Sequence, residues 1–305
     1  MPQRFCAYRR IITAVWVLAV APLPAAGDGI PARFEGFIPS VRSTAMGGAF
    51  VGLGDDITAL AVNPAGLVTS GGTVFSGAYS ELGGELGPWT GSLAASHEAW
   101  GTLFAASASQ MRLPDDTIEG LFVAGAARNL IEGSAGSFLS VGAAVRVGRI
   151  SFDWVPECPL CSEARVSRTV ASADAGLMLR PRPFISLAVA SDNLFGTGFD
   201  VGDGEVPWDR TVRYGAAWLH EDRFAVSWER RHTGDRVTEH FGFGVRTELP
   251  LEIMAGFTSD RVSGGLRWDG GRWRAAAAFS QEDEETIEVS VSIEVFFDRP
   301  VVITQ

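Results

Sequence analysis

Ile287-Glu288-Val289-Ser290-Val291-Ser292-Ile293-Glu294-Val295-Phe296-Phe297 alternates between apolar side chains and small or acidic ones along nearly its whole length. A period of two belongs to a β-strand, whose successive side chains point to opposite faces. The same period recurs in Leu139, Val141, Ala143, Val145 and Val147, set against Ser140, Gly142, Ala144 and Arg146. It recurs in Val212, Tyr214, Ala216 and Trp218 against Arg213, Gly215 and Ala217. Phe224, Val226 and Trp228 repeat it, as do Phe241, Phe243 and Val245, then Leu251, Ile253, Ala255 and Phe257. Each segment has one apolar face and one small or charged face, the mark of a sheet with two unlike sides.

Turn signals divide the chain from about residue 72 into strands near 72–82, 88–97, 100–112, 118–130, 137–153, 166–180 and 184–193. Seven more lie near 210–220, 222–231, 237–248, 251–259, 261–268, 272–280 and 286–297. Fourteen is an even number, and the lengths centre on the ~10 residues that a tilted membrane strand requires. The two longest connections, around Pro156–Arg165 and Phe195–Asp209, follow odd strands. Those after even strands are short: Glu98-Ala99, Arg182-Pro183, Glu221, Pro250 and Asp269-Gly270-Gly271. Outer-membrane barrels pair long outer loops with tight periplasmic turns, so both ends of the barrel fall on the periplasmic side. Trp89, Trp154, Trp208 and Trp228 lie toward the outer strand ends, and Trp100, Trp218, Trp268 and Trp273 toward the periplasmic ones. Two aromatic girdles at the interfaces suit a membrane barrel, whereas tryptophans filling a soluble core would sit mid-strand. The expected fold is all-β: a transmembrane antiparallel β-barrel of about fourteen strands.

Composition narrows the chemistry. The chain has 305 residues, 46% of them hydrophobic. Beyond the first thirty, no run reaches the ~20 apolar residues of a membrane helix. All 25 basic residues are arginine. Without lysine there is no P-loop lysine and no Schiff-base amine. The formal charge of −11 argues against nucleic acid as a partner. Arg4, Arg9 and Arg10 precede the apolar run Ile11 to Ala21, and Ala25-Ala26-Gly27 follows. This is the pattern of a secretory signal peptide, too short before Pro22 and Pro24 for an anchor. The expected organisation is a signal peptide at 1–27, an N-terminal plug at 28–70, the barrel at 71–297 and a tail at 298–305.

Residues 28–70 do not alternate. Asp55 or Asp56 can cap a short helix running to Val62. Asn63-Pro64-Ala65-Gly66 is a turn, with Pro second and Gly fourth. Gly47, Gly48, Gly52 and Gly54 permit close backbone approach. A compact small-residue segment ahead of a barrel can fold into the lumen as a plug. Met46-Gly47-Gly48-Ala49-Phe50-Val51, Asp55-Asp56 and Asn63-Pro64-Ala65-Gly66-Leu67 resemble the N-terminal signature of PorV/PorQ-type outer-membrane proteins. That group is related to the FadL long-chain fatty acid transporters, which share the Asn-Pro-Ala element in an N-terminal hatch. The resemblance implies a fourteen-stranded barrel plugged by its N-terminal segment. By it, Gly47, Gly48, Asp55, Asp56, Asn63, Pro64 and Gly66 shape the hatch.

Cys158 and Cys161, in Pro156-Glu157-Cys158-Pro159-Leu160-Cys161, lie on an expected outer loop. In an exported protein the pair is expected to form a local disulfide that stiffens the loop. A thioredoxin-like role needs a βαβ context, and zinc needs two further ligands. His97, His220, His232 and His240 divide between the two rims, so no metal site or Ser-His constellation assembles from them. Asp55-Asp56 reads as a cap before it reads as a cation site. Asp115-Asp116 and Glu282-Asp283-Glu284-Glu285 read as solvated outer loops. Arg146, Arg180, Arg213, Arg246, Arg272 and Arg274 are expected inside with Asp174, Glu252, Glu288 and Glu294, as paired charges or as a polar pathway. No cofactor and no enzyme activity are expected. The expected partners are outer-membrane lipid and hydrophobic small molecules, taken up or held passively, or, alternatively, proteins of a secretion system; a structural outer-membrane barrel with no transport is the third alternative. Strict alternation implies a mostly polar lumen, which weighs against a hydrophobic ligand.

Overall fold

The computed structural model describes residues 40–83, 88–113, 117–154, 164–196, 198–201, 204–206, 208–220, 223–282 and 286–298. Its strands are β1 (Val74–Leu82), β2 (Trp89–Ala99), β3 (Thr102–Arg112), β4 (Ile118–Glu132), β5 (Phe138–Trp154), β6 (Ala164–Arg182), β7 (Ile185–Asp192) and β8 (Phe199–Val201). They continue as β9 (Gly204–Val206), β10 (Thr211–His220), β11 (Phe224–Thr233), β12 (Arg236–Arg246), β13 (Leu251–Phe257), β14 (Val262–Asp269), β15 (Trp273–Gln281) and β16 (Ile287–Phe296). Fourteen of these close into one antiparallel barrel, with β7 paired to β10 and β16 returning to β1. The closing register runs from Val74↔Phe296 to Leu82↔Glu288. Strand count and order match the alternation, and no end differs from the sequence expectation by more than two residues.

The alternation faces the direction a membrane requires. On β16, Val289 is 52% exposed and Ser290 is 0% exposed, so the apolar face points out and the polar face into the lumen. A water-soluble barrel would invert that arrangement. Trp218, Trp268 and Trp273 are exposed at the periplasmic strand ends, and Trp100 caps the β2–β3 turn in a left-handed conformation (φ 53).

Trp208 corrects the girdle expectation. It is buried and stacks on Phe199, with ring centroids 6.0 Å apart. The cause is the early end of β7. Asn193, itself left-handed (φ 50), donates its backbone N–H to Asp174 Oδ1 at 2.9 Å and its side-chain amide to the Trp208 carbonyl. The connection expected as a plain loop near 195–209 thereby turns inward and forms the small β8–β9 hairpin. The signal peptide, residues 28–39, the Cys158/Cys161 loop, Asp115-Asp116, residues 283–285 and the tail beyond 298 lie outside the described residues.

Inside the barrel sits residues 40–70: helix α1 (Val41–Ala45), helix α2 (Ala59–Val62) and a 3-10 turn (Pro64–Thr69). α1 packs on β13–β16 and the 3-10 turn on β3–β6.

Candidate functional site

The candidate site is the contact between this plug and the inner wall. The plug owes its shape to caps. Ser40 Oγ accepts the Ser43 N–H at 3.0 Å and starts α1. Gly47 (φ 66) and Gly48 (φ 83) end it, donating to Thr44 O at 3.0 Å and Ser43 O at 2.8 Å, the Schellman pattern. Asp56 Oδ1 accepts the Thr58 N–H at 2.9 Å, just ahead of α2. Asp55 does not cap; it pairs with Arg42. Asn63 Oδ1 accepts from Ala65 N at 3.2 Å, and its amide donates to Val51 O at 3.0 Å. Pro64 opens the 3-10 turn that the sequence suggests only as a turn. Gly66 lies against Gly54, where a Cβ would come within 2.9 Å of the Gly54 carbonyl.

One side of the lumen holds this plug with charge. Glu229 on β11 is fully buried, and its Oε2 accepts the plug N–H groups of Phe50 at 3.0 Å and Val51 at 2.9 Å. Its other oxygen meets Arg231 at 3.0 Å and Arg213 at 3.4 Å. Arg213 continues to Asp192 at 2.7 Å. His240 Nδ1 contacts the Gly47 carbonyl at 2.7 Å. A carbonyl only accepts, so Nδ1 carries the proton and Nε2 is left to accept from Thr238 at 2.8 Å. Arg42 reaches across to Glu252 at 2.8 Å, which Arg267 shares at 2.5 Å. Burial draws the Arg42 guanidinium down to about 10, still charged at neutral pH. Arg146 joins Asp174 at 2.8 Å and donates to the plug carbonyl of Ala61 at 3.1 Å. Wall glycines make the approach possible: a Cβ on Gly142 or Gly256 would run into the plug backbone.

Of the charges expected inside, Arg146, Arg213, Arg274, Asp174, Glu252 and Glu294 are there, and Glu288 hydrogen-bonds Ser80. Arg180 lies over the Phe138 ring. Arg246 and Arg272 are exposed at a strand end and in the β14–β15 turn. Glu229, Arg231, Asp192, Arg267 and His240 were missed. Strand parity alone places Arg267 inside, since its neighbours Leu266 and Trp268 are exposed outward.

Part of the opposite side of the lumen is apolar, which qualifies the expectation of a mostly polar interior, with Glu119 and Arg146 buried on the same strands. Leu103 and Met111 of β3, Leu121 and Val123 of β4, and Ile150 of β5 face inward and are buried. Leu60 and Leu67 of the plug close this sector below, and the Phe199–Trp208 pair closes it above. Gly148 on β5 leaves the room: a Cβ there would lie 3.0 Å from the Trp208 ring. On the outer surface an apolar groove of about 940 Å³ crosses β2–β6 where outward side chains are alanines, among them Ala106, Ala124 and Ala143, with Phe75 and Phe104 at one end. The four histidines do not gather, and among the described residues no three His, Cys, Asp or Glu could share a metal ion.

No protein-family model matches the sequence, and no curated protein matches it. Solved structures match in shape. The toluene transporter TbuX of Ralstonia pickettii aligns with a TM-score of 0.61 at 13% identity, over 84% of this chain and 98% of that one. The toluene transporter TodX of Pseudomonas putida aligns at 0.60 and 13% identity, over 90% of this chain and 100% of that one. A Pseudomonas aeruginosa FadL homologue aligns at 0.57 and 10% identity, over 90% and 100%. The chain's closed fourteen-stranded barrel therefore shares its fold with these structures.

Proposed function

We propose that the protein is an outer-membrane barrel that passively takes up or holds hydrophobic molecules. The observation that carries this is the apolar sector of the inner wall, Leu103, Met111, Leu121, Val123 and Ile150, beneath the Phe199–Trp208 pair. Apolar side chains facing a lumen suit a ligand that leaves water. The names of the aligned barrels, two of them toluene transporters, support the same reading. So does the outward apolar face, which matches lipid. The ligand enters where Phe199 and Trp208 now sit and meets the plug below. Gly47, Gly48, Asp55, Asp56, Asn63, Pro64 and Gly66 give the hatch its shape. The external groove offers an apolar surface for a molecule passing into the membrane.

Uptake of a labelled fatty acid or an aromatic hydrocarbon is expected to fall in a deletion strain and to return with the wild-type gene. Unchanged uptake of both would overturn the reading. The location is checked by heat-modifiable migration of the protein extracted from outer membranes.

A second reading is an accessory barrel of a protein-secretion apparatus. The Met46–Leu67 motif, with its likeness to PorV/PorQ-type proteins, favours it. The tight outer β11–β12 turn, Gly234-Asp235, gives an exported protein little to grip. Loss of exported proteins from the medium of the deletion strain, with hydrocarbon uptake intact, would select this reading.

A further inference from the structure

The lumen has a third sector, partly covered by α1 and lying apart from the apolar wall. The inward faces of β1, β2, β15 and β16 are built from small and hydroxyl side chains, among them Ser76, Ala78, Ser92, Ala276 and Ser292. Their outward neighbours Phe75, Tyr79, Leu93, Val291 and Ile293 are exposed to the outside. Ala78, Ser92, Ala276 and Ser292 are nevertheless partly accessible, although they point the other way. By contrast, Leu103, Met111, Leu121, Val123 and Ile150 of the apolar sector are sealed.

At the foot of this sector lies an enclosed cavity of about 20 Å³ between plug and wall. That is room for about one water molecule. Arg42, Asp56 and Thr58 of the plug face Ser76, Arg274, Ser292 and Glu294 of the wall across it. Arg42 lines this space with its Nε buried and without a hydrogen-bond partner. Below the polar chamber the lining changes character. Ile57 of the plug packs on Val74 and Phe296, all three almost completely buried.

We propose that this sector is a second, hydrophilic passage, for water and small ions, closed by Ile57 against Val74 and Phe296. A polar file interrupted by one apolar ring gates by dewetting: the ring excludes water until it widens. The passage is separate from the apolar sector, since its wall strands are β1, β2, β15 and β16 rather than β3–β5. It rests on the membrane-barrel reading, but not on any hydrophobic substrate.

The test is single-channel recording of the purified full-length protein in planar bilayers with potassium chloride as the permeant salt. Ile57→Ser places a hydroxyl in the ring, and its conductance or open time is expected to exceed wild type at least several-fold. Adding Ser292→Trp to Ile57→Ser should abolish that gain, because the indole fills the chamber above the ring. Ile57→Ala serves if the serine variant loses heat-modifiable migration; it should open the ring in the same direction. Ile57 variants that insert, keep heat-modifiable migration and conduct no more than wild type would overturn the proposal. So would a gain that survives Ser292→Trp. Hydrocarbon uptake by the Ser292→Trp strain should stay at the wild-type level, so failure of the transporter reading and failure of this one are seen in different assays.

Discussion

The inner wall of β3–β5 and the inner wall of β10–β14 face one lumen and solve opposite problems. Across β10–β14 the plug is held by directional contacts as well as by apolar packing of Met46, Phe50 and Leu53 in one cluster with Ala217, Ala225 and Met254. Glu229 takes two named N–H groups, His240 one carbonyl and Arg42 one carboxylate. Such partners are not interchangeable, because a buried charge that loses its counterpart is left unsolvated. Across β3–β5 most contacts are between hydrocarbon surfaces, which have no preferred direction, and Arg146 and Ser140 of β5 add hydrogen bonds to the Ala61 and Ala65 carbonyls. One apolar group can replace another there at small cost. The charged contacts to the plug thus lie mainly on β10–β14, and the proposed ligand site lies on the apolar side, beneath Phe199 and Trp208.

The sharpest way to break this comparison is at Glu229. Glu229→Ala strands Arg213, Arg231 and two plug amides, a loss on the order of 3–5 kcal/mol. The unfolding midpoint in detergent should drop far below wild type, while Glu229→Gln, which still accepts a hydrogen bond, should fall less. Equal midpoints for wild type and Glu229→Ala would sink the idea that this carboxylate holds the plug. On the other side, Leu121→Ala should cost roughly 2–4 kcal/mol for the lost packing and the space left behind. Its distinguishing effect is on transport: hydrocarbon uptake should change in this variant and not in Glu229→Gln.

The smallest effect lies outside the lumen. Asp298 accepts the Thr73 N–H at 2.7 Å, and hydrogen bonding from Thr73 holds its carboxyl below the usual carboxylate range. A depressed folded value means that the stabilisation is present above the ordinary carboxylate range and is lost as pH falls through the folded value. Protection of the Thr73 amide, relative to its intrinsic exchange rate, should fall on acidification in wild type and be low at neutral pH in Asp298→Ala. A slow neutral-pH amide in that variant would remove Asp298 from the seam.

The barrel was legible because its alternation runs uninterrupted through most of its strands, and a period of two admits one structure. The apolar sector was less legible for the same reason. Leu121-Phe122-Val123 is apolar on both faces, so it blurs the period that identifies a lumen side chain. Within the plug, the Asn63-Pro64 start carries its own local chemistry and could be read directly. Asp55 could not, since its partner Arg42 lies thirteen residues away. Glu229 and His240 lie 179 and 193 residues from the plug atoms they bind, beyond any local pattern. Trp208 was misplaced because proximity to a strand end says nothing about which way the next residues turn. Asn193, a residue type that tolerates the left-handed region, was the available signal.

The closing of β16 on β1 has a consequence in time. A chain made from its N-terminus presents residues 40–70 before any wall exists to receive them. The apolar strands β3–β5 follow first, and Gly142 and Ser140 on β5 offer the first seat for Pro64 and Ala65. Glu229, His240, Glu252 and Arg267 arrive late, and Val74 waits for Phe296, the last residue of the last strand. The plug thus meets its partners on β5 early and those on β11–β14 late. Assembly in that order leaves no stage at which a finished, empty pore stands open.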